Sequence, residues 1–209
     1  MRLRKANFKV NHDRFEEWIE WYGDFIYRLI VARKVVKTRE EKRELVEALV
    51  LRCAVQWWIL VEDDIITSIN RDSSAYASAL NLKLKKNPTL DECKAMIIGY
   101  KYIDFKSVND IQRFGKHYLV LKCNPFAAIK RDCSEKIDEF MIMRNYIAHY
   151  SDYAIRSYHR FIKNRYKLKR IPEPGDFLMA TDPKDGRFRW VVYLDAFMEC
   201  SGDMKSSVI

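Results

Sequence analysis

The chain holds little that breaks a helix: five prolines and six glycines are spread over 209 residues. No long Pro/Gly/Ser stretch occurs before residue 171, so one main domain with a C-terminal extension is expected. The five cysteines (Cys53, Cys93, Cys123, Cys133, Cys200) are odd in number and include no CxxC pair. They give neither a zinc site nor a disulfide framework and suit a reducing cytoplasm. Long apolar runs are also missing. The densest patch, Trp57 to Val61, is five residues inside an amphipathic pattern, too short to span a membrane. Met1 to Val10 carries Arg2, Arg4, Lys5 and Lys9 with no apolar stretch behind them, so no signal peptide is expected. His12, His117 and His159 have no partner at ligand spacing, so neither a metal nor another cofactor is expected. There is no internal repeat and no low-complexity segment.

What is present is material for a core beneath a charged surface: 48% hydrophobic and 32% charged residues. That composition is globular, unlike a disordered chain. Basic residues outnumber acidic ones by 38 to 29, a formal charge of +9, which points towards a polyanionic partner such as nucleic acid.

Apolar spacings of three and four predict a long helix over residues 13–37, with Asp13 as N-cap, through Phe15, Trp18, Ile19, Tyr22, Phe25, Ile26, Leu29 and Ile30. A second follows from Glu40 to about Ile69 on the stripe Leu45, Ala48, Leu49, Val55, Ile59 and Ile66. Its short connection predicts an antiparallel pair. Shorter helices are expected over 73–84, 89–98 and 107–114, the last opened by Ser107 and Asp110 as a capping box. The strongest helical signal runs from Ser134 to about residue 168. Beyond Pro172, Pro174 and Gly175, the segments 177–181 and 188–194 are rich in aromatic and branched residues around the turn-like Asp182-Pro183-Lys184-Asp185-Gly186, which reads as a β-hairpin. Residues 201–209 read as frayed. The expected fold is thus all-α, an up-and-down helical bundle over 1–170, with a short C-terminal β-hairpin in the extension 171–209.

On the last long helix Arg144 stands within the stripe Ile137, Phe140, Met141, Ile147 and Ala148, which predicts an inward guanidinium. A buried guanidinium needs a carboxylate, and Glu62, one turn from Ile59 and from Ile66, is the expected partner. His149 follows five residues after Arg144. Asn145, His149, Asp152, Tyr153 and Arg156, at spacings of three and four, are expected on one polar, aromatic and basic face. A phosphodiester is cut without a metal when one group takes the ribose 2′-hydroxyl proton and a fixed cation stabilises charge on the phosphoryl oxygens. Histidine suits the first task at neutral pH and arginine's planar fork the second. Asn145 is placed to orient the imidazole or to bind a phosphate oxygen.

Arg144-Asn145-Tyr146-Ile147-Ala148-His149 resembles the signature of the HEPN superfamily: arginine, a polar residue, three more, then histidine, late in a helical bundle. The bare spacing arises by chance about 0.3 times in a chain of this composition, so the motif's helical setting carries the weight. In texture the chain is similar to prokaryotic HEPN proteins of toxin and phage-defence systems, the RiboL-PSP-HEPN subgroup among them. The resemblance covers about residues 13–168. It implies a homodimer whose paired motifs surround one cleft, and an endoribonuclease that leaves a 2′,3′-cyclic phosphate and a 5′-hydroxyl without a metal. Some such toxins are silenced by a partner that modifies a tyrosine two residues after the histidine. Here that position is Ser151, with Tyr150 adjacent, a departure from the pattern.

The catalytic set expected is therefore Arg144, Asn145, His149 and Glu62, with Glu62 either catalytic or structural. Tyr153, Arg156, Arg160 and Lys163 open a basic ribbon that either guides RNA or is a solvated helix face. Trp18, Trp21, Trp57 and Trp58 read as core or dimer contacts. The partners expected are RNA, a second copy of the chain and an antitoxin protein, with no membrane. The competing reading is a non-catalytic helical module that binds RNA or protein.

Overall fold

The computed structural model describes residues 6–32, 35–85, 88–100 and 105–208, with 98–100 by backbone alone. Arg2, Arg4, Lys5, two positions of the first expected helix (33 and 34) and the side chain at 98 lie outside the described residues. The chain is all-α. Its helices are α1 (Phe8–Tyr27), α2 (Arg39–Arg71), α3 (Ser74–Ala79), α4 (Leu90–Tyr100), α5 (Val108–Tyr118), α6 (Arg131–His149), α7 (Asp152–Phe161), α8 (Pro174–Met179) and α9 (Arg189–Val208). Wide π-type turns extend α1 over Arg28–Ala32 and α7 over Ile162–Tyr166, and two 3-10 turns, Leu121–Cys123 and Pro125–Ala128, lead into α6.

Short polar side chains start the helices. Asn7 Oδ1 accepts from Lys9 N at 3.0 Å, so α1 opens at Asn7 and Asp13 lies inside it. Thr38 and Glu41 form a reciprocal capping box on α2, each side chain bonding the other's backbone N–H at 3.1 Å. Thr89 and Glu92 repeat the device on α4, and Ser107 caps α5 through Asp110 N at 3.2 Å. Such caps contribute about 1 kcal/mol each. The helix expected from Ser134 starts earlier. Helix α6 begins at Arg131, and Ser134 N donates to Lys130 O within the first turn.

The chain divides into two compact units, and α1, α2, α6 and α9 each contribute residues to both. The first unit comprises Met1–Phe15, Trp58–Ser134 and Glu199–Ile209. Its core gathers Phe8, Phe15, Leu60, Ile65, Ile69, Ile111, Phe126 and Met204. A polar chain crosses it, with His12, Asp64 and Ser201 fully buried and Asn11 half-buried. His12 Nε2 meets Asp64 Oδ2 at 3.0 Å, His12 Nδ1 meets Ser201 Oγ at 2.8 Å, and Asn11 Nδ2 donates to Asp64 Oδ1 at 3.0 Å. Burial raises the Asp64 carboxyl above its ordinary range, and the bond from His12 opposes this. At Gly115 a Cβ would lie 2.5 Å from Asn124 Oδ1, so a larger residue there would displace the side chain that caps Phe126 N.

The second unit comprises Glu16–Trp57 and Glu135–Met198. Phe197 lies 5.6 Å from Trp57 and 5.0 Å from Phe140, ring centre to ring centre, and all three are buried. Each ring contributes about 1.5–3 kcal/mol by leaving water. Arg189 is buried with its guanidinium over the Phe177 ring at 4.4 Å and the Tyr166 ring at 5.2 Å, donating to Phe177 O at 3.1 Å.

The expected β-hairpin is absent. Among the described residues no β-strand occurs, and only one bridge, Thr181 to Phe188, flanks the turn. The turn itself is real, with Gly186 at φ 79°, but it joins α8 to α9. Trp190, Tyr193, Leu194, Phe197, Cys200, Ser201, Met204 and Val208 are all buried. That helical periodicity continues well past residue 194, so residues 201–208 are ordered helix and not a frayed end. Of residues 171–209, those up to Met198 belong to the second unit and the rest to the first.

Candidate functional site

The long helix expected over 134–168 is two helices. Helix α6 ends at His149, Tyr150 takes the left-handed conformation at φ 43°, and Ser151 starts α7 by accepting from Ala154 N at 3.3 Å. A left-handed residue followed by a hydroxyl cap is the usual way to end one helix and begin another at once. Asp152 in the first turn of α7 reinforces the start, because a carboxylate there faces the positive end of the helix dipole. The junction leaves His149, Tyr150 and Ser151 exposed.

The inward face of α6 is Ile137, Phe140, Met141, Met143 and Tyr146. Ala148 is exposed and Ile147 is half-buried, so the end of the helix has left the core and Arg144 is half-buried at the surface, contrary to the expectation that it points inward. Its Nη1 donates to Asn145 Oδ1 at 3.0 Å and meets His149 Nε2 at 3.1 Å. Arginine has no acceptor, so Nε2 carries the lone pair and the imidazole proton is assigned to Nδ1. The three expected residues therefore form one hydrogen-bonded cluster at the surface. Nε and Nη2 of Arg144 take no partner among the described residues.

Glu62 is not a buried partner. It belongs to the first unit, is exposed, and forms no ion pair among the described residues. The expected stripe mixes two sides of α2: Leu49 and Ile66 are buried, but Val55 and Ile59 are 47% and 40% exposed, and the packed side also carries Val46, Val50, Cys53, Trp57, Leu60, Val61 and Asp64. Helix α2 is apolar on more than one side, and periodicity alone does not choose which side packs. The inward acid of that run is Asp64, held by His12.

The four residues expected to bind RNA share one exposed face. Tyr153, Arg156 and Arg160 lie on α7 and Lys163 on the turn after it, while Ala154, Tyr158, Phe161 and Ile162 bury the opposite side. Tyr153 is 78% and Tyr150 66% exposed. Asn145, His149, Tyr153 and Arg156 do not continue along a single helix, as the junction separates the first two from the last two.

Buried tyrosines hold the junction from beneath. Tyr146 packs on Tyr150 and Tyr158 at 5.3 and 4.9 Å, and its hydroxyl donates to Glu173 at 3.0 Å. The Tyr158 hydroxyl donates to Pro172 O at 2.9 Å. Burial pushes both phenols up, with Glu173 adding to the effect, so they remain donors. Gly175 N donates to Glu47 Oε1 at 3.0 Å, and a Cβ at Gly175 would lie 2.7 Å from Arg43 O. Periodicity places Tyr158 on the buried stripe, as found; the roles of Tyr146 and Glu173 carry no such signal, and the Ser151-Asp152 pair that starts α7 lies inside the single helix expected over 134–168.

Among the described residues no group of three or more His, Cys, Asp or Glu side chains is placed to hold a metal, all five cysteines are free and buried, and no helix is long and apolar enough to cross a membrane. A scan against protein-family models finds no match to this chain, and searches of curated proteins and of solved structures find none either.

Proposed function

We propose that the chain is a metal-independent endoribonuclease of HEPN type, acting as a homodimer, with Arg144, Asn145 and His149 as its working residues. The observation that carries the reading is the hydrogen-bonded trio at the exposed end of α6. His149 Nε2 holds its lone pair against Arg144, the form a base needs. When a ribose 2′-hydroxyl replaces that bond, the imidazole takes its proton and the 2′-oxygen attacks phosphorus. The P–O5′ bond breaks, giving a 2′,3′-cyclic phosphate and a 5′-hydroxyl, with the leaving oxygen protonated by the second copy's imidazolium. Arg144, released from His149, turns its fork to the phosphoryl oxygens. The exposed Tyr153, Arg156, Arg160 and Lys163 support an RNA path beside the trio, since rings stack on bases and cations neutralise phosphates. A toxin or phage-defence role, with an antitoxin as partner, extends the same proposal.

The test is incubation of wild type, His149→Ala and Arg144→Ala with total RNA in chelator, followed by mapping of the ends. Wild type is expected to cut and each variant to lose about 10²–10⁴-fold in rate. Unchanged cutting by His149→Ala rejects the mechanism. RNA binding without cyclic-phosphate ends selects the non-catalytic binding module instead, to which the basic face of α7 applies equally.

A further inference from the structure

A second site lies in the second unit, on other helices than the trio. A groove of about 480 Å³ is lined by residues of α1, of α9 and of the 181–188 turn. Gly23 lets the two helices approach, since a Cβ there would come to 3.0 Å from Leu194 Cδ1. Tyr27, Phe188 and Trp190 give the lining an aromatic body.

The charges on the lining are of mainly one sign. Arg187 is already held, donating to Asp195 at 2.6 Å and to Asp185 at 2.8 Å. Glu20 and Asp24, one turn apart on α1, are exposed and have no ion-pair partner among the described residues. In a chain of net charge +9 this is a local negative lip over an apolar floor. Nucleic acid is repelled by such a lip. The volume falls in the range of about 300–1,000 Å³ that takes small molecules and is too small for a partner helix. Aromatic rings beside carboxylates recognise organic cations, the rings through their negative faces and the carboxylates through charge.

We propose that this groove binds a small organic cation: a ligand with a flat apolar body that lies against Tyr27, Phe188 and Trp190, and an ammonium or amidine group that meets Glu20 and Asp24. The site stands apart from the RNA-cleaving reading and does not depend on it.

Two probes matched in shape and opposite in charge, tryptamine and indole-3-acetate, test it by titration against ¹⁵N-labelled full-length protein. Tryptamine is expected to saturate with a Kd of about 0.1–1 mM and to shift resonances of the groove, with indole-3-acetate about tenfold weaker or more. Glu20→Gln with Asp24→Asn, both at exposed positions, is expected to weaken tryptamine by about tenfold and to erase the preference between the probes. Val191→Trp, which fills the groove, is expected to abolish both. Equal binding of the two probes, tryptamine affinity unmoved by the charge-removing pair, or shifts that map elsewhere would each overturn the proposal.

Discussion

Arg144, Asn145 and His149 show how far a local pattern carries. The motif spacing puts Asn145 and His149 on one face, but it also points Arg144 inward, and the bond from Arg144 to His149 forms only because the end of α6 leaves the core. Glu62 was misplaced because its role depended on which side of α2 faces the core. The acid that does face inward, Asp64, forms with His12 and Ser201 a chain in which every side chain is fully buried. Removing one member leaves buried polar atoms of the other without a partner, whereas replacing both members with apolar groups often costs little. His12→Ala is expected to destabilise by about 1–3 kcal/mol in urea denaturation, and His12→Leu with Asp64→Leu to recover most of that. Equal losses in the single and double variants would show that the pair is not what the core relies on.

Asp13 gives the opposite case at the surface of the same unit. Lys205 and Lys9 meet its carboxylate at 2.6 and 2.5 Å, and those bonds hold its carboxyl below the usual value of 3.8. A depressed folded-state value means that the contribution is present above 3.8 and is lost as pH falls through the lower folded value. The urea midpoint of wild type is therefore expected to exceed that of Asp13→Asn at about pH 6, and the gap to close as pH falls below 3.8. A constant gap across that range contradicts the assignment.

At the scale of elements, the α6–α7 junction sets the site. Continuous helix over 134–168 would carry His149 in mid-helix, on a face shared with Tyr153 and Arg156. The left-handed Tyr150 and the Ser151 cap instead make His149 a helix terminus. Ser151→Ala is expected to cost about 1 kcal/mol in denaturation and to lower RNA cleavage while Arg144 and His149 are both still present. An unaltered midpoint would mean that the cap is replaced by water. The extension teaches the converse lesson. Trp190, Val191, Val192 and Tyr193 suit a strand on local preference, but the buried positions recur at helical spacing as far as Val208. Twenty residues with one periodic face outweigh four with strand preference.

For the whole molecule, the charge of +9 and the proposed twofold arrangement lead to a joint expectation. Ala148 is exposed between Asn145 and His149, so a homodimer joined through the ends of α6 would bring its two copies close together. Ala148→Glu then places two carboxylates near the axis and beside the RNA phosphates. Sedimentation equilibrium is expected to show a dimer for wild type and a shift towards monomer for the variant, with cleavage falling in parallel. A wild-type monomer that still cuts RNA removes the dimer from the mechanism.

The all-α class, the helix starts at Thr89 and Ser107, and the shared face of Asn145 and His149 were decided by the sequence alone, because each depends on side chains within about two turns of one another. Tertiary structure decided which side of α2 is buried, that α6 ends at His149, and that the last twenty residues of the described chain are helix. Those outcomes depend on apolar faces finding partners far along the chain. Local periodicity states that a face exists, while burial against Trp57, Phe140 and their neighbours selects the one that is used.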